Sequence, residues 1–312
     1  MIKIVKYILK RIIGIIPILI IVSFISFALM HLASGDPAEI ILTSQGTVVT
    51  PELLESVRVD MGLDKPFIVQ YINWLKNILH GNLGTSYATG IEVVKELKEH
   101  LPYTIILAVS SMVLTLIISI PLGIISAIKK DKITDTIIRM LTFIGNSMPG
   151  FFLAIILLFI FSLRLKLLPV LSESGIKSLI LPTVTLSVSM TSKYIRQIRS
   201  VVIEELEKNY VKGARARGVK EYIIIYNNVL RNIMITIITL VGLSMGSLMG
   251  GTAIVESIFV WPGIGSLALD AIAHRDYPII QGYVLWMSVT FIIINLITDI
   301  LYRIFDPRVR EI

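Results

Sequence analysis

The chain has 312 residues, 54% of them hydrophobic and 16% charged, with a formal net charge of +7 and no cysteine. That much apolar surface cannot be hidden inside a soluble fold, and the missing cysteine excludes a disulfide framework, a thiolate metal site and a cysteine nucleophile. The basic excess suits either nucleic acid or the cytoplasmic loops of a membrane protein, so its distribution along the chain decides between them.

A hydrocarbon core about 30 Å thick is crossed by about 20 apolar helical residues, so runs free of Asp, Glu, Lys and Arg mark spans. The first run is 12–35, which has a basic start and Ala33-Ser34 near its end but is longer than a signal-peptide core and is read as a span. Residues 36–99, with Tyr71, Trp74 and Tyr87, are too polar to cross and long enough for a small helical cap, punctuated at Asp36-Pro37 and Thr50-Pro51. Further spans follow at 100–128, at 140–163 with a kink or interruption expected at Pro149, at 232–255 and at 277–298. A shorter run, 178–192, is counted as a span because Lys193 and Arg196 can snorkel and let the helix run on. The expectation is an all-α integral membrane protein with six transmembrane helices.

Basic residues collect on one side of these spans: Lys3, Lys6, Lys10 and Arg11 at the head, Lys129, Lys130, Lys132 and Arg139 in the second connection, nine more from Lys193 to Arg231 in the fourth, and Arg303, Arg308 and Arg310 at the end. That side is read as cytoplasmic, with both termini inside; the 164–177 loop, with three basic residues, is the exception on the other side. Nucleic acid falls away, since the charges are split among loops and form no single patch.

No phosphate-cradling loop is present, and Gly263-Ile264-Gly265 has no strand before it. His31, His80, His100 and His274 are scattered without metal-ligand spacing. No relay of carboxylates runs through the spans, Glu256 and Asp299 lying near span ends, which argues against an ion-coupled secondary transporter acting alone. Nor do the polar residues near the spans supply a nucleophile, base and orienter for a membrane enzyme. The chain by itself has no means of powering transport.

Leu206, Tyr210, Ala214 and Gly218 recur every four residues, while Glu204, Glu207, Lys208, Lys212 and Arg215 fall on other faces, which predicts a short amphipathic helix. Pattern alone leaves open whether it meets a protein surface or lies on lipid headgroups. Gly242, Gly246 and Gly250 recur at the same spacing beside Ser244, Met245, Ser247 and Met249, and similar content occurs at Asn146-Ser147-Met148-Pro149 and at Ser187, Ser189 and Met190. Close helix packing and the lining of a pathway are equally served by such residues.

Several segments resemble, in order and over nearly the whole chain, the B-type permease subunit of the peptide and nickel family of ATP-binding-cassette importers. They are Gly35-Asp36-Pro37-Ala38, Gly62-Leu63-Asp64-Lys65-Pro66, Gln70-Tyr71, Gly84-Thr85-Ser86-Tyr87 and the terminal Asp306-Pro307-Arg308. More telling are Tyr210-Val211 with Ala214-Arg215-Ala216-Arg217-Gly218-Val219, followed by Leu230-Arg231-Asn232, similar to the cytoplasmic EAA loop, and Glu256 through Trp261-Pro262-Gly263-Ile264-Gly265 to Asp276-Tyr277-Pro278, similar to the family's outer loop. Lys212 stands where the glutamate of the EAA name falls, and Arg231 where a proline often stands.

The resemblance implies a type I binding-protein-dependent importer fold: an added N-terminal helix and outer segment (1–99), a core of five helices (100–305, with a coupling loop at 200–231) and a cytoplasmic tail (306–312). It implies a coupling helix carrying Leu206, Tyr210, Ala214, Arg215, Gly218 and Arg231, and, for the loop carrying Glu256, Trp261, Pro262, Gly263, Gly265 and Asp276, either an outer gate or receptor contact or a structural re-entrant loop. It also implies a prokaryotic cell membrane, a homologous second permease, an extracytoplasmic solute-binding protein and two ATPase subunits that hold ATP and Mg, with no cofactor on this chain. Peptides, nickel and metal chelates stay open as cargo.

Overall fold

The structure, a computed structural model, describes residues 2–32, 35–44, 46–170 and 175–305. Ala33-Ser34 and the tail with Asp306-Pro307-Arg308 lie outside the described residues.

In chain order the helices are α1 (Ile2–Leu32), α2 (Pro37–Ser44), α3 (Pro51–Asp60), α4 (Phe67–Leu79), α5 (Val93–Ile128), α6 (Ile133–Ser147) and α7 (Gly150–Leu157), the last continuing as π-helical turns over Leu158–Arg164. Then come α8 (Ile176–Leu206), α9 (Asn209–Ala216), α10 (Glu221–Ile223), a π-helical stretch Ile224–Val229, α11 (Leu230–Gly251), α12 (Ala253–Ile258), α13 (Ile264–Ala273) and α14 (Tyr277–Phe305). The fold is all-α; among the described residues the only β-type pairing is an isolated bridge between Thr85 and Glu92.

Among the described residues four stretches are long and apolar enough to cross a membrane: Gly14–Leu32, Val93–Ile128, Glu221–Gly250 and Tyr277–Leu301. A fifth is formed if Ile133–Ser147 and Gly150–Arg164 count together, although they meet at 99°. The run at 140–163 is therefore two helices, a break sharper than a kink. Met148 is extended at ψ 126°, as the ring of Pro149 demands of the residue before it, so α6 stops there and α7 starts in a new direction.

The run at 178–192 is the N-terminal half of α8, whose 31 residues extend about 46 Å. It is not among the stretches apolar enough to count as a span. The cause is its buried face, which carries the hydroxyls of Thr183, Thr185, Ser187, Thr191 and Ser192 in place of aliphatic side chains.

The chain divides into two compact units, Met1–Thr104 with Pro262–Ile292, and Ile105–Trp261 with Ile293–Ile312. In the first, Phe24 and Phe27 of α1 meet Phe67, Tyr71 and Trp74 of α4 ring to ring, and the Tyr71 hydroxyl shares a hydrogen bond of 2.9 Å with Ser23. Val93 and Leu97 of α5 pack with Ile264 and Ala271 of α13 and Ile279 of α14.

In the second unit α8 is the centre, packed by α6, α7, α11 and α12. A smaller core joins Ala154, Leu181, Val255 and Phe259. The glycine spacing on α11 finds its partner at Gly242, where an added Cβ would lie 2.9 Å from Thr298 Cβ on α14 and closer still to its hydroxyl. Gly242→Val is accordingly expected to cost about 1–3 kcal/mol through overpacking. Thr298→Ala in the same chain should recover part of that loss, read as thermal unfolding of the detergent-solubilised protein.

Candidate functional site

The connection after α8 is not one helix. α8 ends at Leu206, the chain turns through Glu207 and Lys208, and α9 takes up only Asn209–Ala216. Leu206, Tyr210, Ala214 and Gly218 therefore do not share a helix face. The turn at Lys208, extended at ψ 150°, resets the rotation, and the buried side of α9 is Val211 with Ala214. Tyr210 is 37% exposed. Lys212, Arg215 and Ala216 face outward, and Arg215 spends its charge on Glu221 at 2.5 and 3.1 Å. Arg231 is exposed at the start of α11.

Gly218 closes the end of α9. It lies beyond the end of α9 at φ +75°, with no atom within 4 Å of where a Cβ would stand. Its N–H donates to Arg215 O at 2.9 Å and the Val219 N–H to Ala214 O at 3.2 Å. This is a Schellman cap, in which a left-handed residue closes the last helical turn.

Pattern reading passed over Glu205, the residue that sets the angle between α8 and α9. Its carboxylate, on a residue only 4% exposed, accepts hydrogen bonds from Tyr210 Oη (2.7 Å), Asn232 Nδ2 (2.7 Å) and Lys208 Nζ (2.5 Å). Asn232 also donates to the Tyr210 hydroxyl at 3.1 Å. Burial pushes the Glu205 carboxyl up, but the bonds from Lys208, Tyr210 and Asn232 together outweigh it and hold the group below its ordinary value. Burial, and then the neighbouring carboxylate, push the Tyr210 phenol up to about 12. Asn232 belongs to the Leu230-Arg231-Asn232 segment, so the two halves of the EAA-like pattern meet on one carboxylate.

Asp135 was passed over as well. It is wholly buried on α6 and takes a two-pronged bond from Arg199 of α8 at 2.7 Å to each oxygen. Ser126 Oγ donates to it at 2.5 Å and the Asp131 N–H at 3.0 Å. Lys130 reaches Glu207 at 3.7 Å. The turn between α5 and α6 is thus fastened to the C-terminal half of α8.

The pathway candidates are dispersed over the second unit. Asn146, Ser147 and Pro149 are exposed at the α6–α7 break with Met148 half-buried; Ser189, Met190, Ser244 and Met245 are half-buried; Ser247 is exposed; Ser187 and Met249 are buried. Three of the hydroxyls turn back on their own helices, Ser147 to Phe143 O, Ser187 to Val184 O and Ser247 to Ser244 O, at 2.8 to 3.0 Å. Tyr194, buried on α8, donates to Met112 Sδ at 3.7 Å and also contacts Ser244.

The outer-loop residues fall in both units. In the second, Glu256 is fully buried on α12 and accepts from Thr252 Oγ1 at 2.8 Å, while the N–H of buried Trp261 donates to Glu256 O at 2.8 Å across a turn that holds Val260 at φ +51°. In the first, Pro262 is half-buried and Gly263 and Gly265 are buried, and the Ile264 N–H donates to Thr104 Oγ1 at 2.8 Å. Asp276, 2% exposed, accepts the Ser86 hydroxyl and the backbone N–H groups of Tyr87 (3.1 Å) and Ala88 (3.3 Å). Two segments far apart in sequence therefore close on one carboxylate. Among the described residues no group of three or more His, Asp or Glu side chains is placed to hold a metal ion.

Residues 119–311 match the family described as binding-protein-dependent transport system inner membrane component, and residues 4–108 match its N-terminal companion. The chain belongs to this family. It is 39% identical to the metal-staphylopine import system permease protein CntB of Staphylococcus aureus strain NCTC 8325, over 98% of both chains. It is 38% identical to the glutathione transport system permease protein GsiC of Pectobacterium atrosepticum, over 98% and 99% of the two chains. With the nickel import system permease protein NikB of S. aureus strain bovine RF122 the figures are 38% identity over 98% and 92%. The fold is similar to that of the inward-facing MetNI methionine ABC transporter, with a TM-score of 0.55 at 14% identity, covering 67% of this chain and 96% of that one. The protein is a multi-pass ABC-importer permease with the type I fold, and the reading as an ion-coupled carrier acting alone gives way to it.

Proposed function

We propose that α9 is the coupling helix of this permease and that the chain pairs with a homologous second permease, two ATPase subunits that hold ATP and Mg, and an extracytoplasmic solute-binding protein. The observation that carries this reading is the construction of α9: a short helix fixed from behind by Val211, Ala214 and the Glu205 cluster, with Lys212, Arg215 and Ala216 turned outward. A surface helix on headgroups needs no such fixture. Both termini are cytoplasmic, and ATP hydrolysis takes place on the partners. The names of the relatives suit a small solute of the peptide, nickel or metal-chelate class, carried between the permease pair. Closure of the ATPase dimer on ATP then favours one state of that pair over another through contacts at α9 that differ between them.

The test is ATP hydrolysis in liposomes by the complete assembly, with and without loaded binding protein. Ala216→Trp puts a bulky ring on the outward face of α9 and leaves the Gly218 cap intact. With assembly unchanged, stimulation by loaded binding protein is expected to fall by about five- to 150-fold, the range set by coupling energies of about 1–3 kcal/mol. Stimulation equal to that of the unsubstituted complex would overturn the assignment of α9.

A further inference from the structure

We propose that the turn between α5 and α6, Lys129-Lys130-Asp131-Lys132, is a second contact for the ATPase subunit, held in register with α9 by the Asp135 cluster. The proposal rests on the reading of α9 given above and adds to it a surface that the EAA-like pattern does not include.

The turn is built as a rigid knob. All four of its N–H groups are bonded: Lys129 to Ile125 O, Lys130 to Ala127 O, Asp131 to the Asp135 carboxylate and Lys132 to Lys129 O. Asp131 sits at φ +63°, a conformation that its bond to Asp135 stabilises locally. Arg199 then joins Asp135 to α8, and Lys130 joins the turn to Glu207, the residue at which α8 gives way to α9. The turn is thus tied twice to the helix that leads into α9.

Its outward chemistry is that of a docking point. Lys129 and Lys132 are exposed with no ion pair among the described residues, and next to them Ile133 is 80% exposed. Two free ammonium groups beside a bare aliphatic side chain fit an acidic surface with an apolar edge. Lipid headgroups would attract the same charges, but they demand no register with a neighbouring helix, whereas a folded partner that also seats α9 does. A partner gripping both points would carry α8, α9 and the α5–α6 turn together.

The absence of cysteine makes a single introduced thiol unique in this chain, which is labelled before it is assembled with its partners. A photo-crosslinker is attached at Lys132→Cys or at Lys212→Cys in the assembled complex in liposomes, and the labelled species is identified. Both positions are expected to label the ATPase subunit. The Lys132 adduct should be lost when the Asp135 cluster is weakened by Ser126→Ala or Asp135→Asn, while that at Lys212 persists. Labelling of lipid alone from Lys132, with the ATPase subunit labelled from Lys212, would overturn the second contact and leave the α9 reading standing. Labelling of the ATPase subunit from neither position would overturn both. A Lys132 adduct undiminished by Ser126→Ala and by Asp135→Asn would overturn the holding role of the Asp135 cluster.

Discussion

Arg199→Ala is expected to destabilise the protein by about 3–5 kcal/mol, because it leaves the Asp135 carboxylate buried with its charge uncompensated. The Asp135 side chain is fully shielded with Arg199, itself 19% exposed, in place, so the guanidinium is the charge that offsets the buried carboxylate. Removing both partners has a different result. Asp135→Leu with Arg199→Met exchanges a desolvated ion pair for apolar packing, a change that is often neutral, but it strands the Ser126 hydroxyl and the Asp131 N–H, at about 1–3 kcal/mol each. Adding Ser126→Ala removes one of these and should restore most of the thermal midpoint in detergent. If the triple replacement is still as unstable as Arg199→Ala alone, the pair is not the source of the loss.

The spans were legible wherever lipid-facing helices require unbroken apolar runs. The end of α5 at Ile128 and the start of α14 at Tyr277 fall where charge and Asp276-Tyr277-Pro278 place them. Pro149 was legible as an interruption, since a missing N–H and a restricted predecessor act locally. The size of the bend was not, because the direction of α7 is set by its packing on α8 and α12. α8 read as a short run because Lys177 and Lys193 bound it, and the helix continues past Lys193 to Leu206 as a packed, increasingly charged segment.

The sites divide in the same way. A four-residue spacing from Leu206 to Gly218 implied one helix, and a two-residue turn at Glu207-Lys208 undid it. The polar residues that organise the connection, Glu205 and Asp135, have partners 27 and 64 positions away in Asn232 and Arg199. No local pattern encodes that distance. A carboxylate on the packed side of an amphipathic helix was the available signal: Asp135 shares a helix face with Ile138 and Thr142, all of them buried. Asp276 likewise meets its partners Ser86, Tyr87 and Ala88 about 190 positions away, a pairing that no local pattern carries.

Glu205→Ala should separate assembly from coupling. It removes the single acceptor that gathers Lys208, Tyr210 and Asn232, but Lys208 is 48% exposed and Tyr210 37%, so their donors can turn to water and the stability loss stays at about 1–3 kcal/mol. The orientation of α9 has no such substitute. Stimulated ATP hydrolysis is expected to collapse while basal hydrolysis and complex assembly persist, and Tyr210→Phe, which leaves the Lys208 and Asn232 bonds in place, should be milder.

The same carboxylate predicts a pH signature. Its folded-state value lies below the ordinary 4.5, so its contribution is complete above that pH and is lost as the pH falls through the folded value. Stability measured against pH should therefore show the unsubstituted protein losing its advantage over Glu205→Gln below pH 4.5, with a constant gap above it. A gap that widened in acid would mean that Glu205 is held protonated, and the charge-assisted fixture behind α9 would have to be abandoned.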